Sequence, residues 1–228
     1  DIATNALPAQ IVRCFSSYRL VQDGMAHGTV GVVLGQEVYE ITTYRVDGAY
    51  SDSRHPDKVT FTGALKKDLA RRDFTINAMA YGEKEGIIDC FGGREDLEKH
   101  RIRCVGNAQK RFEEDALRML RALRFASVLS FSIEAKTAQA IHLKKALLTR
   151  VSLQRCAKEI HMLLMGKNVG AVLRQFGDVL AVCIPELKPM LHFDQNTPYH
   201  NLSLWEHTVT AIEAIKPQED LRLAMLLH

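Results

Sequence analysis

The chain has 228 residues, of which 46% are hydrophobic and 25% are charged, and its formal net charge is +3 at pH 7. This composition predicts one large or two small globular domains and excludes a disordered tail. The five cysteines are scattered and form no C-x-x-C pair, which excludes a disulfide scaffold and favours the cytoplasm. The sequence has no signal peptide and no apolar run long enough to span a membrane, which excludes a membrane protein.

The first hundred residues carry strand and helix signals in alternation. Residues 2–15 predict the end of a strand, a turn and a short helix. Alternating or β-branched runs predict further strands over 18–21, 29–34, 38–44, 86–89 and 102–105. Helical patterns cover 65–71, 74–81 and 94–100. Gly35-Gln36 predicts a tight hairpin, and the polar, Gly- and Pro-containing segment 45–56 predicts a mobile loop.

Beyond about residue 108, every predicted element is a helix. The 3.6-residue period recurs over 108–130, 135–146, 152–166, 168–177, 203–215 and 218–228. We therefore expect an α+β fold with three parts. Residues 1–105 form a head with a small mixed sheet, residues 106–190 form an all-helical neck and body, and residues 191–228 begin a further helical domain.

Two carboxylates lie at predicted strands of the head. Asp1 precedes the first strand, and Glu40 lies inside an apolar strand, where a carboxylate is costly unless it is paired or bound to a metal. Mg²⁺ takes few oxygen ligands from protein and fills its remaining positions with phosphates and water. If the two strands are adjacent, both carboxylates can belong to one such site. The alternative is that Asp1 caps a turn and Glu40 faces water on an edge strand.

The segment Ala-Arg-Arg-Asp-Phe-Thr-Ile-Asn-Ala at 70–78 predicts a helix start. Asp73 is expected to be the N-cap and to accept a hydrogen bond from the N–H of Thr75 or Ile76. Arg72 then lies beside a helix N-terminus, a position that favours anions, and Asn77 follows four residues after Asp73 on the same side. The alternative is an ordinary capped helix with solvated arginines.

A third segment, at 113–125, combines acidic and basic side chains on a predicted helix. Glu114 and Asp115 precede Arg118 by four and three residues, so either carboxylate can hold the guanidinium. A rigid Asp–Arg pair offers an acceptor and a fork of donors that suit the edge of cytosine or adenine. Arg121 and Arg124 follow at three-residue spacing and can hold triphosphate oxygens. The alternative is a salt-bridged amphipathic helix.

In this order and spacing, the segments resemble the bacterial-type (class II) tRNA nucleotidyltransferase and poly(A) polymerase family. Asp1 resembles the second aspartate of the family's Asp-x-Asp metal motif, and Glu40 resembles its third carboxylate. The segment 70–78 resembles the family's ribose-recognition motif. The base-reading Glu-Asp-x-x-Arg motif and the arginines after it are matched by Glu114, Asp115, Arg118, Arg121 and Arg124.

The resemblance implies a polymerase-beta-like head that adds CMP and AMP to the 3′ end of tRNA from CTP and ATP and releases pyrophosphate. Two Mg²⁺ ions about 3.5–4 Å apart would lie between the Asp-x-Asp pair and the third carboxylate. Arg72, Asp73 and Asn77 would hold the nucleotide, while Asp115 and Arg118 select C or A in place of a template base.

Segments 27–33 and 47–56 favour the CCA-adding branch. In the family, the loop that corresponds to segment 47–56 is implicated in the switch from C to A addition. The resemblance therefore implies that Arg45, Asp47 and Arg54 take part in the choice between C and A. A poly(A) polymerase, an enzyme that adds only CC or only A, and a non-catalytic RNA-binding remnant remain alternatives. The family's upstream Gly-Gly-x-x-Arg-Asp motif, with the first metal aspartate, is not in the chain, so we expect the chain alone to be inactive.

Two histidines near the end of the chain resemble the opening of an HD phosphohydrolase domain. His207 is followed twenty-one residues later by His228, as the family's first His precedes a His-Asp pair that holds a divalent metal. The expected Asp is not in the chain, so we do not expect a working metal site. An HD-type phosphohydrolase is the alternative function from another class.

Overall fold

The computed structural model describes residues 2–48, 59–194 and 202–228. The chain divides into two compact units, of which the first comprises Asp1–Arg72 and Asn77–Phe91. The second unit comprises Asp73–Ile76 and Gly92–His228. The architecture is α+β, and the three-part division inferred from the sequence stays a prediction.

The first unit contains a small mixed sheet and two separate ribbons. Its elements are β1 (Ile2–Thr4), α1 (Pro8–Cys14), β2 (Arg19–Val21), β3 (Thr29–Leu34), β4 (Glu37–Thr43), β5 (Arg45–Asp47), β6 (Val59–Phe61), α2 (Leu65–Ala70), β7 (Met79–Gly82) and β8 (Gly86–Asp89). The sheet has the order β1-β4-β3-β2, with β1 parallel to β4 and the other pairs antiparallel. The ribbons β5–β6 and β7–β8 are antiparallel.

Side-chain alternation gives the four-stranded sheet one buried face. Val30 and Ile41 lie opposite each other on β3 and β4, and α1 covers them with Ile11. The predicted hairpin between these strands is confirmed, and Gly35 has the positive φ of 64° that a tight turn favours. The other face of β4 carries Glu40.

The second unit is mostly helical. Its elements are α3 (Gly93–Glu98), β9 (Arg101–Ile102), α4 (Ala108–Glu114), α5 (Leu117–Leu129), β10 (Ser132–Ile133), α6 (Ala135–Lys144), α7 (Leu153–Leu164), α8 (Val169–Cys183), α9 (Leu204–Ala214) and α10 (Glu219–Leu227). Helix α5 packs on α7 and α8 and buries Met119, Leu120 and Leu123 completely. Within the described ranges, no helix is long and apolar enough to cross a bilayer.

The predicted helix over 74–81 is wrong. A 3₁₀ turn covers Thr75–Asn77, and β7 follows and pairs with β8. Before the turn, Phe74 forms a bridge with Cys104, and the N–H of Thr75 donates to the carbonyl of Arg103. These non-local bonds use the backbone groups that a helix would need, so the segment does not become helical.

Three other element predictions need correction. The helix predicted over 108–130 breaks at Asp115, whose backbone is extended (φ −142°, ψ 106°). Residues 45–47 are the strand β5 rather than loop, while 49–58 lie outside the described residues. The helix predicted over 168–177 continues as α8 to Cys183, through a kink at Phe176 (φ −127°, ψ 22°).

Candidate functional site

Glu40 lies on an interior strand, so the alternative of an edge strand is wrong. Strand β4 is flanked by β1 and β3, yet the Glu40 side chain is exposed. Its cross-strand neighbour is Gly31, where a Cβ atom would lie 2.9 Å from Val38 Cγ1 and would not fit without movement. Ile2 pairs with Ile41, so β1 is adjacent to β4, which was the condition for a site shared by the two strands. Asp1 itself lies outside the described residues.

A carboxylate that is exposed on an interior strand is accessible to a hard cation such as Mg²⁺, which prefers charged oxygen ligands. In residues 2–48, 59–194 and 202–228, no group of three or more His, Cys, Asp or Glu side chains is arranged to hold a metal. The role of Glu40 as a metal ligand therefore stays a prediction.

Arg72 and Asn77 are brought together in the first unit. Arg72 Nη1 donates to the backbone carbonyl of Asn77 over 3.3 Å, and Arg72 Nη2 lies 3.6 Å from Asp68 Oδ2. A groove of about 640 Å³ is lined by Arg72 together with Tyr44, Glu85 and others. Its volume falls in the range of small-molecule sites, and it places a guanidinium, a phenol and a carboxylate around one space.

Asp73 is not the N-cap of an α-helix. The carboxylate accepts a hydrogen bond from the N–H of Phe74 at 2.8 Å, and its other oxygen is bound by Arg121, with Nη2 at 2.6 Å and Nε at 2.8 Å. The Asp73 side chain is 10% exposed and that of Arg121 is 33% exposed. Two residues that were predicted separately as nucleotide ligands therefore form one ion pair in the second unit, in which two Arg121 donors reach the same carboxylate oxygen.

The residues that were predicted to read the base lie where α4 ends and α5 begins. Arg118 Nη1 is held by Glu114 Oε2 at 2.6 Å and by the carbonyl of Arg111 at 3.1 Å, so the predicted four-residue pair is present. Asp115 accepts a hydrogen bond from the N–H of Leu117, the first residue of α5, at 3.0 Å. Its second oxygen lies 3.1 Å from Arg155, a partner on α7 that the sequence did not reveal.

Arg124 makes contacts inside the helical unit. Its Nε lies 2.9 Å from Glu159 Oε2 on α7, and its guanidinium lies 4.3 Å from the ring centre of Phe125. The side chain is 17% exposed. These contacts join α5 to α7, and the role of Arg124 at a triphosphate stays a prediction.

The described loop residues form an ion-pair network at the start of the β5–β6 ribbon. Arg45 Nε lies 3.2 Å from Asp47 Oδ1, and Asp47 Oδ2 lies 3.6 Å from Arg71 Nη1. Arg54 lies outside the described residues. A buried carboxylate on α2, Asp68, joins this network and was not identified from the sequence.

A second buried carboxylate was also missed. Asp96 is fully buried and accepts from Thr75 Oγ1 at 2.6 Å, Arg101 Nε at 2.6 Å and Arg103 Nε at 2.7 Å. Burial alone would raise the pKa of Asp96, but these three hydrogen bonds hold it below its ordinary value. Asp96 therefore stays ionised at neutral pH and acts as a structural anchor.

Burial also raises the pKa of Cys104 to about 12, which excludes a thiolate nucleophile there.

His207 and His228 approach each other at the far end of the chain. Their ring centres are 5.9 Å apart, and His228 Nδ1 lies 3.3 Å from the carbonyl of Met225. Two imidazoles at this distance can share a cation only after small rotations, and no third ligand joins them among the residues described.

Comparison with known proteins identifies two families along the chain. Residues 1–103 match the family described as Poly A polymerase head domain, and residues 130–191 match "Probable RNA and SrmB- binding site of polymerase A". A CCA-adding enzyme of Pediococcus pentosaceus is 47% identical over 189 residues, which are 83% of this chain and 46% of that protein. The chain spans about half the length of the curated relatives it matches.

The chain is also similar to solved structures of a CCA-adding enzyme and of a tRNA nucleotidyltransferase. The CCA-adding enzyme of Bacillus stearothermophilus in complex with CTP is similar with a TM-score of 0.76 and 38% identity, over 94% of this chain and 48% of that one. A tRNA nucleotidyltransferase complexed with a primer tRNA and an incoming ATP analog has a TM-score of 0.56 and 27% identity, over 90% of this chain and 61% of that one.

Proposed function

This chain belongs to the family of the CCA-adding enzymes and bacterial poly(A) polymerases, and we propose that the protein containing it adds CMP and AMP to the 3′ end of tRNA. The predicted fold class is confirmed by the same relatives, as a nucleotidyltransferase head with a small mixed sheet followed by a helical body. CTP and ATP are the proposed substrates, the tRNA 3′ end is the proposed acceptor, and the cytoplasm is the proposed location.

The observation that carries the proposal is the pair of fixed side chains at the start of α5. Asp115 is held by Arg155 and by the N–H of Leu117, and Arg118 is held by Glu114. Their side chains are only 16% and 11% exposed, so little conformational entropy is lost when a base binds. Fixed donors and acceptors of this kind can replace a template base.

The hydrogen-bonding chemistry supports selection of C and A together. Cytosine and adenine both present an exocyclic amine next to a ring nitrogen acceptor. The Asp115 carboxylate accepts only, which suits the amine, and the Arg118 guanidinium donates only, which suits the ring nitrogen. Uracil and guanine present a carbonyl oxygen in place of the amine and would meet a carboxylate, which is repulsive.

We assign Glu40 and Asp1 as protein ligands of Mg²⁺. Mg²⁺, when bound, would neutralise phosphate charge and lower the pKa of the acceptor hydroxyl. Glu40 would contribute a charged oxygen from a strand that cannot shift, because β4 is paired on both sides. Glu40 would hold the ion in place, and the bound ion would supply positioning and charge neutralisation at the reacting groups.

We assign the sugar and triphosphate to Arg72, Asp73 and Asn77 and to the arginines of α5. Arg72 and Asn77 contact each other in the first unit, and Asp73 orients Arg121 in the second. Each arginine keeps donors that can bind phosphate oxygens in a bidentate manner. Glu114 contributes by holding Arg118, and Arg124 contributes at the triphosphate. The segment with Arg45, Asp47 and Arg54 is proposed to govern the change from C to A addition.

The test is nucleotide incorporation into tRNA that lacks its 3′ end, by the full-length protein that carries this chain. We expect two C residues with CTP alone and CCA with both nucleotides. Glu40→Gln should abolish incorporation without changing the melting temperature. Long A tracts from ATP alone would instead identify a poly(A) polymerase, and incorporation that survives Glu40→Gln would refute the metal assignment.

A second activity is favoured by one observation, the 5.9 Å separation of the His207 and His228 rings. We propose that these imidazoles belong to an HD-type metal site that hydrolyses phosphate esters. Hydrolysis of a phosphomonoester or a cyclic phosphate by the full-length protein should be lost in His207→Ala and retained in Glu40→Gln. Absence of metal-dependent hydrolysis in the unmodified protein would refute this proposal and leave the nucleotidyltransferase untouched.

A further inference from the structure

We infer that Asp68 is a positioning residue for nucleotide selection, which holds the nucleotide-binding arginine and the start of the β5–β6 ribbon in one fixed arrangement. This inference rests on the proposed function, because it concerns the choice between CTP and ATP. Asp68 does not itself need to touch the nucleotide. It acts through the groups that its carboxylate binds.

The contacts of Asp68 reach three segments of the first unit. The residue lies on α2 and is 1% exposed. Its Oδ1 accepts from the backbone N–H of Arg45 at 3.2 Å and from Arg71 Nε at 2.9 Å. Its Oδ2 lies 3.6 Å from Arg72 Nη2. One carboxylate therefore contacts the first residue of β5 and both arginines of the 70–78 segment.

These contacts close into a ring. Arg71 contacts Asp68 and also lies 3.6 Å from Asp47. Asp47 in turn lies 3.2 Å from the side chain of Arg45, whose backbone returns to Asp68. A closed ring has fewer independent motions than separate surface pairs, so β5 and Arg71 are expected to move as one body.

Arg72 depends on the same carboxylate for its orientation. Its guanidinium contacts the Asp68 carboxylate and the carbonyl of Asn77, and within the described residues its Nε is buried and has no hydrogen-bond partner. A buried donor without a partner is costly, and a ligand oxygen would relieve that cost. Arg72 is thus prepared for an anionic group while Asp68 holds the other side of its guanidinium.

A purely structural role explains the arrangement less well. An ion cluster at a buried position is often no more stabilising than packed apolar side chains, because the charges must be desolvated. This network joins the ribbon that carries Arg45 and Asp47 to Arg72, and it thereby fixes the orientation of the Arg72 guanidinium. We therefore expect loss of Asp68 to change which nucleotide is used as well as how stable the protein is.

The substitution Asp68→Asn keeps the shape and an acceptor for the Arg45 N–H but removes the charge that holds the two arginines. In the full-length protein we expect the KM for ATP in A addition to rise on the order of tenfold, with a smaller change for CTP in C addition. On tRNA with both nucleotides, the ratio of CCA to CC product should fall. The conservative variant Asp68→Glu should restore part of that ratio.

Asp96→Asn is the matched control. Asp96 is equally buried and is likewise bound by two arginines, but it lies in the second unit and contacts none of the residues of the ring. We expect it to lower the melting temperature and to leave the CCA to CC ratio unchanged. If Asp68→Asn does not fold, Arg71→Gln opens the same ring with the Asp68 charge kept, and it should lower the ratio in the same direction.

The outcomes separate this inference from the proposed function. If the unmodified protein incorporates neither C nor A, the proposed function fails and the inference fails with it. If the unmodified protein makes CCA, while folded Asp68→Asn or Arg71→Gln gives an unchanged ratio and unchanged KM values, the inference is refuted and the proposed function stands. An equal fall in the ratio for Asp96→Asn would also refute it, because general destabilisation would then explain the effect.

Discussion

The pair of Asp73 and Arg121 allows a quantitative prediction. Arg121 reaches one Asp73 oxygen with both Nη2 and Nε, at 2.6 and 2.8 Å, and the two residues are 48 positions apart in the chain. The substitution Asp73→Asn removes the charge but leaves an oxygen for the N–H of Phe74. It therefore isolates the ion pair from the backbone hydrogen bond.

The burial of the two partners sets the expected magnitude. Exposed ion pairs contribute about 0–1 kcal/mol, and breaking a buried pair costs about 3–5 kcal/mol. Because Asp73 is 10% exposed and Arg121 is 33% exposed, we expect Asp73→Asn to cost about 2 kcal/mol of unfolding free energy, between those limits. For a domain of this size that corresponds to a fall in Tm of about 4–8 °C.

The assay is a double-mutant cycle measured by urea unfolding. Asp73→Asn, Arg121→Gln and the double variant are compared with the unmodified protein, and the coupling free energy should be about 1–2 kcal/mol. The same variants should lose nucleotide affinity together. A coupling energy below about 0.3 kcal/mol would mean that the pair does not hold the segment, and the argument from its geometry would be refuted.

Three further predictions concern single sites. At Gly166 a Cβ atom would lie 2.4 Å from the backbone carbon of Ser127, so Gly166→Ala should lower the unfolding free energy by about 1–3 kcal/mol in urea unfolding; an unchanged midpoint would contradict this packing. Because the pKa of Asp96 is lower in the folded protein than its unfolded value of about 3.9, its ionised carboxylate stabilises the fold at every pH above that value. The loss of unfolding free energy in Asp96→Asn should therefore be constant near neutral pH and should shrink as the pH falls through the folded pKa. A loss that stays the same at still lower pH would contradict this prediction. Arg155→Gln should weaken discrimination against UTP because Asp115 loses its partner at 3.1 Å; retained discrimination in a misincorporation assay would show that Asp115 is fixed by its backbone contact alone.

Local patterns predicted the elements whose signals are strong and self-contained. The hairpin of β3 and β4 follows from alternation on both sides of Gly35, and most helix cores follow from the 3.6-residue period. The segment 74–81 was mispredicted although Phe74, Ile76 and Ala78 alternate with polar residues at the two-residue period of a strand. That signal competed with a capping pattern at Asp73.

The partners of the site residues were harder to predict than the residues themselves. Glu114 and Arg118 were paired correctly, because a four-residue spacing on a helix is a local property. Asp115 was one of two carboxylates that could hold Arg118, and nothing in the sequence indicated that its carboxylate would also meet Arg155, 40 residues away. Such partners depend on helix packing, and neither composition nor spacing within one segment encodes that packing.

The buried carboxylate Asp68 shows the same limit. In the sequence it is one acidic residue in a short amphipathic helix, next to lysines that suggest a solvated surface. Its burial follows from the pairing of β5 with β6 and from the position of Arg71, which are tertiary features. A charged side chain on a short helix is far more often exposed, so the pattern predicts the wrong environment.

The central claim is that Asp115 and Arg118 read the incoming base. The most direct measurement is a crystal structure of the full-length protein with CTP and Mg²⁺. We predict that the cytosine amine lies within hydrogen-bonding distance of the Asp115 carboxylate, about 2.7–3.2 Å, with the ring nitrogen facing the Arg118 guanidinium. A base bound elsewhere, with Asp115 contacting only Arg155 and the Leu117 N–H, would contradict the claim.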